Sequence, residues 1–198
     1  MEPMLHSWDV LEPLVLKPRS EISHAFVEFG SLDYRAAARF VSRLPYRRNT
    51  VVQHPLIVLQ EGRGTCSTKH ALLRRLAIEQ SLNVVLVLGI YEMHERNTPG
   101  VGSVLEKHGL ETLPEAHCHL RFRDFRIDVT RPIDADPPER IAHFLHEEDI
   151  APEQIGDYKT AVHRQFLRRW MAESGNARRR DLDEVWRIRE ECITALSR

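Results

Sequence analysis

The chain has 198 residues, enough for one compact domain with its own hydrophobic core. Apolar residues make up 42% and charged residues 29%, a globular balance that excludes a disordered chain. With 28 Lys+Arg against 29 Asp+Glu the formal net charge is −1, so there is no electrostatic case for nucleic acid or an anionic membrane as the main partner. Three cysteines at irregular spacing, Cys66, Cys118 and Cys192, make no disulfide framework. No apolar run approaches the roughly 18 residues of a bilayer span, and Met1-Glu2-Pro3-Met4 lacks the basic start of a signal peptide. A cytoplasmic location with no membrane contact is the expectation.

Residues 1–30 read as irregular, with Leu14-Val15-Leu16 a candidate short strand before Pro18. Ser31 reads as the N-cap of a helix that carries Ala36, Phe40, Val41 and Leu44 until Pro45 stops it. Residues 47–60 read as loop followed by a short extended or helical turn. Thr65 is placed to cap the next helix, with Ala71, Leu72, Leu76 and Ala77 on one face and Arg74, Arg75 and Glu79 on the other, ending at Asn83. Val84 to Tyr91 is a valine-rich apolar run, as expected of a strand buried on both faces. Residues 93–114, rich in Gly and Pro, predict a loop with one helical turn.

Ala116–Phe122 and Phe125–Thr130 predict two strands of a tight hairpin turning at Arg123-Asp124. From Pro137 onward the pattern is helical and polar. Val162, Phe166 and Trp170 align within Tyr158–Met171, and Leu182, Val185, Trp186, Arg189, Cys192, Ile193 and Leu196 form a second stripe after Gly175-Asn176. The predicted fold class is α+β: a core over 1–135 that includes an N-terminal helix, and a helical extension over 136–198 packed on it.

Cys66 follows the turn Gly62-Arg63-Gly64-Thr65 and sits in the first turn of a predicted helix. Unpaired N–H groups and about half a positive charge at a helix N-terminus lower a thiol's pKa and can hold an oxyanion. Taken alone, such a cysteine is more often a small buried core residue. In the hairpin register Phe122 faces Phe125, Leu120 faces Ile127 and His119 faces Asp128, with His117 diagonal to Asp128 on the same sheet face. An imidazole beside a carboxylate is what a thiolate nucleophile needs, although a solvated polar face would show the same residues. His70, four residues after Cys66, reads as an exposed or capping residue. His117, Cys118 and His119 resemble a zinc cluster only superficially, since alternation turns Cys118 away from the two histidines. No metal or cofactor is expected.

The residues Gly64-Thr65-Cys66, Asn83-Val84-Val85-Leu86-Val87-Leu88-Gly89, His117-Cys118-His119-Leu120-Arg121-Phe122 and Asp128-Val129-Thr130 together resemble the transglutaminase-like branch of the papain-like cysteine hydrolases over roughly residues 60–132. The resemblance implies a papain-like core with Cys66 as nucleophile, His117 as base and Asp128 orienting that base. His119 stands where the family has an aromatic residue, Arg121 where it often has an acid, and Val129 where it has proline. His119 is therefore an alternative base. Gln60, six residues before Cys66, matches an oxyanion-hole glutamine or is a surface residue. The implied activity is cysteine-dependent acyl transfer, either amide hydrolysis or transglutamination through a thioester, on a protein, peptide or small amide. An arylamine N-acetyltransferase-like enzyme and a non-catalytic protein-binding module that keeps the fold are the alternatives. Oligomeric state is left open.

Overall fold

The structure, a computed structural model, describes residues 10–11, 13–132, 139–173 and 180–196. Among them are helices α1 (Glu21–Glu28), α2 (Tyr34–Arg43), α3 (Ile57–Glu61), α4 (Cys66–Glu79), α5 (Gly102–Lys107), α6 (Asp157–Glu173) and α7 (Leu182–Ala195), with a 3-10 turn at Pro152–Ile155. The strands are β1 (Val84–Met93), β2 (Leu113–Phe122), β3 (Phe125–Ile127) and β4 (His146–Asp149). They form one antiparallel sheet in the order β3-β2-β1-β4, so the chain is a mixed α+β protein as expected. None of the described helices is long and apolar enough to cross a membrane.

Local chemistry explains the starts and stops. Residues 21–28 are not irregular but form α1, capped by Ser20. The Ser20 side chain accepts from the Ile22 N–H at 3.2 Å, the Ser23 hydroxyl accepts from the Ser20 N–H at 3.1 Å, and Ile22 and Phe26 are buried. The expected strand at Leu14-Val15-Leu16 is reduced to a single bridge between Val15 and Asp33. Asp33, not Ser31, caps α2: its carboxylate accepts the Ala36 N–H at 2.8 Å, while Ser31 is buried and bonds through its own N–H to the Phe26 carbonyl. That helix ends at Arg43 because Leu44 precedes Pro45 and takes extended angles (φ −65°, ψ 141°). The hairpin has the anticipated register, with Phe122 opposite Phe125 and Leu120 opposite Ile127, and Arg123 in the turn at φ +54°.

The chain divides into two units. One is Met1–Leu88 with Cys118–Ala135 and Glu148–Gly156, and the other is Gly89–His117 with Asp136–Glu147 and Asp157–Arg198. In the first, α4 is the central element: α1, α2, α3 and the 3-10 turn all lie against it. Every residue from Cys66 to Leu73 is buried, so the first two turns of α4 have no solvent face. Tyr34 of α2 is buried there and donates its hydroxyl to the Leu73 carbonyl at 3.0 Å.

The second unit has its own apolar core, with Tyr91 and Met93 of β1, Leu105 of α5, Leu113 of β2, Leu167 of α6, and Val185, Ile188 and Cys192 of α7. The region after Pro137 is not helical throughout, since β4 lies within it; Pro137 itself and Gly175-Asn176 fall outside the described residues. The buried stripe of α6 is Lys159, His163 and Leu167 rather than Val162, Phe166 and Trp170, which are only half-buried. A carboxylate explains that rotation. Glu115 of β2 is buried, bound by Arg189 of α7 (Nε to Oε2, 2.7 Å), and interacts with the charges of His163 and Lys159.

His163 donates Nε2–H to the Pro114 carbonyl at 2.8 Å, and burial holds its pKa below the ordinary value despite the pull of Glu115. A lowered folded pKa means that the unfolded chain takes up this proton first as pH falls below about 6.5. Melting temperature should therefore drop between pH 7.5 and 5.5, and His163→Gln should remove up to about 1.4 kcal/mol per pH unit of that dependence. An unchanged slope in differential scanning calorimetry of the variant would refute the assignment.

Candidate functional site

The turn before Cys66 is shaped by two glycines used differently. Gly62 ends α3 in the left-handed region at φ +60°, which favours glycine. Gly64 is needed for close packing: a Cβ there would lie 3.0 Å from both Lys69 Cγ and Thr68 Oγ1 and 3.2 Å from Val58 Cγ2. The space beside Gly64 is thus filled by α4 and Val58, and it is not left open for a ligand.

Asn49 secures the same turn. Its amide donates to the Arg63 carbonyl at 2.9 Å and to Glu61 Oε2 at 3.1 Å, and its Oδ1 accepts from the Thr68 hydroxyl at 2.7 Å. The Thr68 hydroxyl in turn accepts the Thr65 N–H at 3.0 Å. Hydrogen bonds from Thr50 lead the set, with Asn49 and Arg63, that pulls the Glu61 carboxyl down to about 2. It is therefore an anion at neutral pH, as a fixed acceptor should be.

Cys66 is the first residue of α4 and is 6% exposed. Its carbonyl accepts the Nδ1–H of His70 at 2.6 Å, and Nε2 of the same ring accepts the Val129 N–H at 2.8 Å. These two bonds specify a neutral imidazole protonated at Nδ1. Asp128 follows directly after β3. Its Oδ1 lies 3.5 Å from His70 Nε2 and accepts the Thr130 N–H at 2.8 Å. His70 is fully buried, so the exposed or capping role expected for it is overturned. With both ring nitrogens engaged by backbone groups, His70 ties the Cys66 turn to the segment carrying Asp128.

Lys69 went unremarked in the sequence and is the least expected member of the site. It is fully buried, with Nζ donating to the carbonyls of Leu44 (2.6 Å), Thr130 (3.0 Å) and Ser42 (3.5 Å). Burial pushes its pKa down to about 8, an effect that the negative charges of Asp128 and Cys66 partly oppose. A signal was available: Lys69 stands three and four residues before Leu72 and Leu73, on the apolar stripe of its own helix.

The remaining expected residues are distributed as follows. Paired register ends at Ile127, one step before the predicted cross-strand position of Asp128. His119 is buried at 2% exposure in the part of β2 that belongs with Cys66. His117 falls in the other unit, at 7% exposure, edge-on to Tyr91 (5.9 Å between centroids) and stacked on Phe144 (6.4 Å). Cys118 points its sulfur at the Ser67 hydroxyl of α4, 3.7 Å away, and strand alternation turns His117 and His119 to the opposite face from that sulfur. Gln60 is exposed near the end of α3. Among the described residues no group of three or more His, Cys, Asp and Glu is arranged to hold a metal ion.

What the arrangement offers chemically is a thiol at a helix start, a carboxylate held beside that turn, and a buried cation between them in sequence. Compared with models of known families, with curated proteins and with solved structures, the chain matches none.

Proposed function

We propose that the protein is a cysteine-dependent acyl-transfer enzyme built on a transglutaminase-like, papain-like core. The observation that carries this reading is the fastening of Asp128 to the first turns of the Cys66 helix, through the His70 bridge to Val129 and the Lys69 bond to Thr130. A solvated hairpin face would need neither. In the reaction, the Cys66 thiolate attacks the carbonyl carbon of an amide, and N–H groups at the α4 N-terminus take up the oxyanion. The C–N bond breaks as an imidazolium protonates the departing amine. Water or a second amine then releases the acyl group from the thioester, its proton returning to the imidazole. By the family pattern His117 is the base, with His119 as the alternative; of the two, His119 belongs to the same unit as Cys66. A free thiol nucleophile suits a reducing compartment, so we assign the activity to the cytoplasm, on protein, peptide or small amide substrates.

The test is a screen of peptide and amide substrates followed by intact-mass trapping of the acyl-enzyme. Cys66→Ala should abolish both turnover and the mass adduct. Asp128→Asn should lower kcat about 100- to 10,000-fold, the range of a lost proton-transfer or orienting group. Of His117→Gln and His119→Gln, the one that matches Cys66→Ala marks the base. An adduct that persists in Cys66→Ala would sink the proposal.

A further inference from the structure

Lys69 presents a problem that packing does not solve. A fully buried amine loses its hydration, and a methionine would fill the same volume without that cost. Its partners indicate what the charge serves. Ser42 lies in the last turn of α2 and Leu44 caps it, so their carbonyls sit at the negative end of that helix dipole. Thr130 lies two residues after Asp128, and its N–H is already held by the Asp128 carboxylate. Adjacent residues on α4 therefore grip adjacent residues after β3: His70 takes the Val129 N–H and Lys69 takes the Thr130 carbonyl. A Cβ at position 64 would lie 3.0 Å from the lysine Cγ, so glycine there leaves room for the lysine stem.

We propose that Lys69 is a positioning residue of the Cys66 site, which holds the Asp128 segment against the start of α4 and supplies the fixed positive charge that stabilises the Cys66 thiolate. This rests on the reading of Cys66 as the nucleophile. The charges that act on the ammonium are Asp128, from the segment after β3, and Cys66, on its own helix; α2 contributes the Ser42 carbonyl, and Leu44 after it another. With its pKa lowered to about 8, the amine is charged at neutral pH and discharges in mild alkali.

The experiment is the rate of Cys66 alkylation by iodoacetamide from pH 5 to 10, read by peptide mass spectrometry in the wild type, Lys69→Gln, Lys69→Met and Lys69→Arg, with thermal melts as the control for folding. Loss of the charge should move the inflection up by about one pH unit, so that the rate at pH 7 falls about tenfold while the alkaline plateau stays within about twofold. Lys69→Arg should restore most of the shift. An unchanged inflection in both neutral variants reduces Lys69 to a structural role and overturns the proposal. A wild type whose Cys66 has no lowered inflection refutes the nucleophile reading instead, which is a separate result. If the neutral variants fail to fold, the reciprocal measurement decides: carbon-13 NMR titration of Lys69 in the wild type and in Cys66→Ser. Linkage requires the Lys69 pKa to fall further once the thiolate is gone, and an equal value overturns the proposal.

Discussion

At pH 7.5 iodoacetamide is expected to modify Cys66 at least a hundredfold faster than Cys192. Burial, followed by the neighbouring charges of Glu115 and Glu191, pushes the Cys192 thiol up to about 11, so at that pH only roughly 0.03% of it is thiolate. Cys192 is also inaccessible at 0% exposure in α7. Cys118 has 0% exposure as well and lies against Ser67, which makes it a second internal control. Cys66 has 6% exposure, sits on the first turn of α4 and has Lys69 one turn away. Both the helix terminus and the cation favour the thiolate, and each raises the reactive fraction at neutral pH. Digestion and mass spectrometry of protein labelled for a short, fixed time would give the three rates together. Comparable rates for Cys66 and Cys192 would mean that Cys66 is one more packed thiol, and the proposed chemistry would fall with it.

Arg189→Ala should cost about 3–5 kcal/mol of folding stability, the largest effect expected of any single change outside the candidate site. Arg189 makes two hydrogen bonds to Glu115 (Nε to Oε2 at 2.7 Å, Nη2 to Oε1), bonds Glu190 through Nη1 at 2.6 Å, and lies over the Trp186 ring at 5.3 Å. Glu115 has 5% exposure, so losing Arg189 leaves a buried carboxylate without the guanidinium that binds it. Against a total of about 5–15 kcal/mol this is enough to unfold much of the population. Burial by itself would raise the Glu115 pKa; Arg189 outweighs burial, assisted by His163 and Lys159, and holds the carboxyl below its usual value. With a depressed folded pKa, the stabilisation is fully present above the unfolded value near 4.5 and is lost as pH falls through the folded pKa. The gap between wild type and Arg189→Ala should therefore narrow on acidification. The double variant Glu115→Leu with Arg189→Met should recover most of the loss, because a buried pair replaced by apolar side chains of similar volume is close to neutral. Urea melts at pH 7 and pH 4 test all three statements; a single-variant loss under 1 kcal/mol at pH 7 would show that the pair contributes little.

Some of this architecture is legible because it is local. The start of α4 follows from a glycine turn and a threonine before Cys66. Strand β1 follows from a run of branched side chains, and the hairpin register follows from a two-residue turn between paired phenylalanines. The misreadings share a cause in that each assumed a solvent side or a partner that tertiary contacts changed. Strand β4 has the polar sequence His146-Glu147-Glu148-Asp149 because it lies at the sheet edge, where Glu147 and Asp149 remain exposed, so no apolar alternation announces it. The face of α6 was placed by apolar content, but Glu115 draws Lys159 and His163 inward.

Sequence by itself determined the α+β class, the cysteine at the head of α4 and the hairpin that leads into Asp128, since each depends on residues a few positions apart. Only the tertiary structure decided the surroundings of that cysteine. With α1, α2, α3 and the 3-10 turn all against α4, the helix has no outer face in its first two turns, and two polar side chains, Lys69 and His70, are enclosed beside Cys66. Enclosed polar groups must find partners, and the partners they find are Leu44, Val129 and Thr130, from segments far along the chain. No reading of local pattern supplies that pairing, because it is imposed by desolvation and not by periodicity.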